Sequence, residues 1–202
     1  SMGGIVAANY ATRAGGDAKI AGAVALSGTL CAGAMLDASG ARSRALWQPP
    51  LTWSLKGSFV APNEAKLAAR ALSARALERA VTIADFDAGM VAPYHGYRDV
   101  RAYYEDMSAA GAGDAAGLAK LARGRAPLLA VHARDDPITA FETTLAPKIA
   151  AAAENVLLLV TNHGGHIGWP LGWRPAEKRW KFMGDVTMEF ANAVAEDNWN
   201  EA

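Results

Sequence analysis

The sequence holds a single cysteine, Cys31, among 202 residues. One thiol excludes an internal disulfide and a cysteine-rich metal centre. It fits a reducing compartment, so a cytoplasmic location is expected. Net charge is also missing, because 20 Lys and Arg offset 20 Asp and Glu. That balance points to neither a nucleic-acid surface nor a polybasic membrane patch, and no nucleic-acid partner is expected. No run of about 18 apolar residues occurs, so no transmembrane helix is expected. The opening residues show no charged region followed by an apolar one, so no signal peptide is expected if the chain begins there. There is no internal repeat and no low-complexity linker.

What is present is ample core material, with 51% of residues hydrophobic. Residues 1–16, SMGGIVAANYATRAGG, read as a helix stopped by Gly15-Gly16. Ile20 to Gly28, IAGAVALSG, is a continuous run of small apolar residues that suits a strand buried on both faces. Ala126 to Ala133 and Asn155 to Asn162 read as two further strands, separated by a short helix in TTLAPKIAAAAE. From about Pro175 to Ala195 the residues Trp180, Met183, Val186, Phe190 and Val194 recur at steps of three and four, the period of an amphipathic helix. Strands alternating with helices predict an α/β fold with a parallel sheet. The stretch from about 39 to 110 has no strand pattern. It contains Trp47, Trp53, Pro49-Pro50, the helical segment NEAKLAARALSARALERA and an aromatic, turn-rich tail, and is read as a mostly helical cap insertion.

Chemistry concentrates in three places. The first is Ser1-Met2-Gly3-Gly4, the second half of a G-x-S-x-G nucleophile turn opening a helix. Glycines flank such a serine where a side chain would collide with the neighbouring strand or helix. The N–H of the residue after the nucleophile, here Met2, is an oxyanion donor. Alone, S-x-G is a weak signal, and Ser1-Met2 also reads as a serine placed before a start methionine. The second is Arg134-Asp135-Asp136-Pro137-Ile138, directly after a strand, where a triad acid belongs. Asp-Asp-Pro is also a good turn. Of the two carboxylates, Asp136 is the candidate acid, and Asp135 would bond locally or face solvent. The third is Asn162-His163-Gly164-Gly165-His166-Ile167-Gly168, after the last strand. Two glycines let the loop fold tightly and present His166 as a general base. A zinc site at His163 and His166 lacks a third ligand at workable spacing, and no HExxH occurs. No cofactor is expected. His95 and His132 read as structural or exposed.

The order Ser, Asp, His is the order of the α/β-hydrolase fold, with acid and base each following a strand. The 30 residues from Asp136 to His166 accommodate one helix and one strand. A rival use of Ser1, as an N-terminal nucleophile with its own amine as base, belongs to layered antiparallel architectures.

These residues resemble the YheT-like hydrolases, relatives of the eukaryotic abhydrolase-domain lipases and phospholipases. The resemblance rests on Ser-x-Gly-Gly followed by a helix with Asn9-Tyr10. It also rests on Thr82-Ile83-Ala84-Asp85-Phe86-Asp87 with Ala92-Pro93, Gly96-Tyr97 and Tyr103-Tyr104, and on the Asp-Asp-Pro turn and Gly-Gly-His. It implies Ser1 as nucleophile, Asp136 as acid and His166 as base of a serine esterase working through an acyl-enzyme. The substrate is then a small-molecule or lipid ester. Trp47, Trp53, Phe86, Tyr103 and Tyr104 are candidate acyl-pocket residues, though ordinary core packing explains each singly. The family also has an N-terminal half with further strands and a second oxyanion N–H, absent from this sequence. Two partners are therefore expected: that half as a separate chain or segment, or a second copy covering the sheet edge near Ile20. The alternatives are an inactive fragment serving assembly, or acyl transfer or thioester cleavage on the same fold.

Overall fold

The computed structural model describes residues 1–13, 20–38, 43–72, 74–171 and 181–196. They form two compact units: Ser1–Ala38 with Glu105–Ala202, and Ser39–Tyr104.

The first unit is built on a parallel three-stranded sheet in the order β1 (Ala23–Leu26), β2 (Leu128–Ala133), β3 (Val156–Thr161). Ala25 stands beside Ala130 and His132 beside Val160. All six residues of the central strand are buried, five of them apolar and the sixth His132. One sheet face joins Leu128 and Ala130 to Ala8, Leu30, Leu121 and Ile149. The other joins Leu129, Val131 and Ala133 to Trp169 and to Phe182, Met183, Val186 and Phe190. Helix α1 (Met2–Arg13) lies against β1. Helices α2 (Ala32–Ala38), α3 (Ala115–Ala122) and α4 (Ala146–Ala152) follow, and α5 (Phe182–Glu196) covers the second face. Asp114 caps α3 by accepting from Gly117 N (2.8 Å).

Several boundaries differ from the sequence reading. Strand β1 holds four residues, because Ser27 turns into the left-handed region (φ 46°) and ends it. Helix α1 is described to Arg13, and Gly15-Gly16 lie outside the described residues. The same holds for Trp180, while the apolar stripe Met183, Val186, Phe190 does pack on the sheet as its spacing predicts.

The second unit is helical, with no strand among its described residues. Val60, Leu67, Leu77, Phe86 and Met90 form its core. Its alanine-rich stretch is less regular than expected. Helix spans Glu64–Ala68, Ala71 adopts φ 57°, and a short 3₁₀ turn covers Ala74–Leu77. Thr82 and Asp85 form a capping box at the helix Ile83–Phe86. Within this core the Tyr104 hydroxyl donates to Asp87 at 2.7 Å. Burial pushes the Asp87 carboxyl up to about 6, against the Tyr104 hydrogen bond, which favours the ionised form.

Candidate active site

Asp136 is placed by the way β2 ends. Arg134 N donates to Thr161 O (2.9 Å), so the ladder with β3 persists one residue beyond the strand. The chain then turns at Asp135-Asp136-Pro137. Asp136 Oδ1 accepts from the backbone N–H groups of Ile138 (2.8 Å) and Thr139 (2.9 Å). These bonds fix the carboxylate, whose side chain is 1% exposed. His166 Nδ1 lies 2.9 Å from Oδ2 and 3.1 Å from Oδ1 of the same group. An ionised carboxylate only accepts, so Nδ1 carries the proton and Nε2 is the basic nitrogen.

His166 is placed by the loop after β3. Gly165 takes φ 60°, a left-handed conformation that suits glycine. A side chain on Gly164 would stand 2.4 Å from Nε1 of Trp169. Trp169 is buried, and its indole N–H donates to Thr161 Oγ1 (2.8 Å). Asp135 Oδ1 accepts from Gly165 N (2.8 Å), and His163 Nδ1 lies 3.3 Å from its Oδ2. Its slight burial works to raise the Asp135 carboxyl. The Gly165 N–H and His163 outweigh that and hold it below the ordinary carboxylate value. Ile167 N donates to Ser27 Oγ (3.1 Å), tying the loop to the end of β1. Ser27, Ile167 and Trp169 all have positive φ (46°, 51° and 44°). Such conformations in non-glycine residues cost about 1 kcal/mol or more each, and they cluster where surrounding structure imposes them.

Ser1 precedes α1, and its carbonyl accepts from Gly4 N (2.8 Å) and Ile5 N (3.2 Å). Its nitrogen donates to Leu26 O, which fastens the helix start to the end of β1. A side chain on Gly28 would fall 2.8 Å from Ile5 N and 2.9 Å from Ser1 O, and one on Gly4 would fall 3.1 Å from Leu26 N. Gly3, the glycine of the S-x-G pattern, has nothing within 4 Å of that position. The close approach of helix to strand is therefore made by Gly4 and Gly28. Met2 contributes the first helical N–H, a group without an intrahelical acceptor.

The strand ends thus join Asp136 and His166 directly, and Ser1 stands near them. His132, at the end of β2, feels Asp136 and His166. Burial pushes its imidazole down to about 4; Asp136 opposes this, and His166 reinforces it. Its ring is 2% exposed, and Nδ1 has no partner among the described residues. Among the described residues the Ser1 hydroxyl makes no hydrogen bond to His166. The five aromatic candidates all belong to the second unit. Phe86 and Tyr104 are buried in it, and Tyr103 is half-buried against the Tyr104 ring. Trp47 and Trp53 face outward.

Sequence reasoning named Asp135 and His132 without giving them a part in the site, and it missed Ser27. Asp135 had a signal in its adjacency to the acid. Ser27 and His132 sit in apolar strand patterns and gave none.

A carboxylate and an imidazole in contact beyond adjacent parallel strands, following a serine that opens a helix, is the arrangement of an α/β-hydrolase. Comparison with known proteins points the same way. The chain is similar to monoacylglycerol lipase ABHD2 of Homo sapiens, 29% identical over 121 residues, 59% of this chain and 27% of that protein. It is similar to putative esterase YheT of Escherichia coli, 34% identical over 87 residues, 43% and 23% of the two chains. It is also similar to a monoacylglycerol lipase of Saccharomyces cerevisiae, 30% identical over 93 residues, 46% and 18%. The chain is a relative of the YheT-like α/β-hydrolases. Its matched part spans about a quarter of the length of the ABHD2 relatives. No family profile and no solved structure matches it.

Proposed function

We propose that this chain carries the catalytic triad of a carboxylic-ester hydrolase, with Ser1 as nucleophile, Asp136 as acid and His166 as base. The observation that carries the reading is the Asp136–His166 contact at 2.9 Å. It supports a proton on Nδ1 and a lone pair at Nε2, the form a general base needs. In the reaction, Nε2 takes the Ser1 hydroxyl proton as Oγ attacks the ester carbonyl. The Met2 N–H receives the developing oxyanion. Nε2 then returns the proton to the leaving alcohol, and the acyl-enzyme forms. Water deprotonated by Nε2 attacks that acyl group, Nε2 gives the proton back to Ser1 Oγ as the acyl–oxygen bond breaks, and the carboxylic acid leaves. Asp136 stays ionised and stabilises the imidazolium in both halves. The helical unit Ser39–Tyr104 is read as the cap insertion of this enzyme. The lipase names of its relatives favour lipid esters as substrates.

Hydrolysis of a short chromogenic ester tests the reading. Ser1→Ala and His166→Ala should each abolish turnover while leaving the melting temperature within a few degrees. Esterase activity that survives His166→Ala overturns the assignment.

A further inference from the structure

The helical run Ser43–Val60 packs Leu55 and Val60 on the core of its unit, but its earlier turns are reversed. It continues through Ser43–Trp47, Gln48–Leu55 and Lys56–Val60 without a break. Helices on protein surfaces bury an apolar stripe and show a charged one to water. Here the inward side holds the polar residues Gln48 and Thr52, which are 6% and 1% exposed. The outward side holds Leu46 (65% exposed), Trp47 (49%), Leu51 (39%) and Trp53 (78%). Pro50, Ser54, Gly57 and Ser58 complete it and are exposed too. Every one of these outward residues is uncharged. Lys56, in the last turn of the run, turns its ammonium to the carbonyls of Ala80 (2.7 Å) and Glu78 (3.5 Å).

The stretch of sequence that carries this face is one-sided in charge. Residues 39–80 carry seven Lys and Arg against two acids, Glu64 and Glu78, in a chain whose total charge is zero. The neutral total conceals a local excess of five positive charges.

We propose that the outward face of Ser43–Val60 docks on an anionic lipid bilayer, with Trp47, Leu51 and Trp53 seated at the headgroup level. Tryptophan prefers that level because its ring is apolar and its N–H is polar. Apolar helix faces flanked by basic residues bind anionic membranes in this way, lying in the interface plane without spanning it. Each basic side chain near such a surface strengthens binding about fivefold. A second copy of this chain is the weaker occupant, because it would bring the same positive excess against itself. The proposal goes beyond the hydrolase reading and does not depend on it.

Vesicle sedimentation of the purified protein tests it. Vesicles of phosphatidylcholine and phosphatidylserine should pull the protein down. Vesicles of phosphatidylcholine alone should do so less, and added salt should weaken the difference. Trp53→Ser and Leu51→Ser should each lower partitioning about tenfold, the worth of one apolar side chain at the surface. Both positions are exposed, so circular dichroism should show an unchanged fold. Ser1→Ala should bind like the wild type, which separates docking from catalysis. Three results overturn the proposal: no binding to either vesicle, undiminished binding of Trp53→Ser, or a wild-type dimer that Trp53→Ser disperses. Protection of Trp53 from iodide quenching without vesicles overturns it as well, since a protein segment would then cover the face.

Discussion

Replacing Asp136 by Asn isolates what its charge does. The Asn carbonyl can keep the two backbone donors, Ile138 N at 2.8 Å and Thr139 N at 2.9 Å, that now meet Oδ1. Its amide NH₂ then takes the place of Oδ2, 2.9 Å from His166 Nδ1. Two donors cannot face each other there. The ring must accept at Nδ1 and move its proton to Nε2, so the base loses its lone pair at the reacting position. Loss of that tautomer costs about 10⁴-fold in kcat/KM in a serine triad. The fold should lose only about 1–2 kcal/mol, the difference between charged and neutral acceptors for the two retained bonds. Two measurements check this: kcat/KM on a soluble ester with a thermal melt, and the nitrogen chemical shifts of His166. The account expects a loss of three to four orders of magnitude (~10³–10⁴), a nearly unchanged melt, and a proton shifted from Nδ1 to Nε2. Activity within about tenfold of wild type, with the proton still on Nδ1, would refute the reasoning.

Gly28→Ala should destabilise the first unit by about 2 kcal/mol or more, because its Cβ meets backbone atoms at 2.8–2.9 Å that cannot step aside; Gly3→Ala, with open space, should melt like the wild type. The Asp87 carboxyl is raised from 3.8 to about 6 in the folded protein, so the folded state holds its proton more tightly. Stability of the second unit should therefore fall by about 3 kcal/mol as pH rises from about 4 to about 6. Asp87→Asn should remove that slope in denaturant titrations and keep the Tyr104 bond; a slope that persists counts against the assignment. His132 works oppositely: its folded value, about 4, lies below the ordinary 6.5, so the unfolded chain binds protons more readily. Stability of the first unit should drop as pH falls from about 6.5 to about 4, and His132→Leu should flatten that drop in melts across the range.

Much of the first unit is legible in sequence, because its determinants are local. LLAVHA reads as a buried strand since every residue is apolar or neutral, and β2 is buried throughout. Asp136 stands out by the proline after it, and His166 by the two glycines before it. Gly165 uses its freedom at φ 60°, and Gly164 makes room for Trp169. The parts that were not legible depend on distant partners. Nothing local reveals that Asp135 reaches across to Gly165 N, or that Ser27 accepts from Ile167 N, 140 residues away. The S-x-G spacing draws attention to Gly3, yet only packing on β1 shows that Gly4 and Gly28 are the constrained glycines. Trp47 and Trp53 carry the composition of a pocket or a core, but Gln48 and Thr52 hold the inward positions of their helix. Aromatic content alone does not say which way a helix faces.

The central claim is that Ser1 is a nucleophile activated by His166 and Asp136. Fluorophosphonate labelling read by peptide mass spectrometry tests it most directly. The account predicts one adduct, on Ser1, that disappears in His166→Ala. Cys31 should stay unmodified, being fully buried with its thiol pushed up to about 12. An adduct on any other serine, or undiminished labelling of Ser1 in His166→Ala, would contradict the triad.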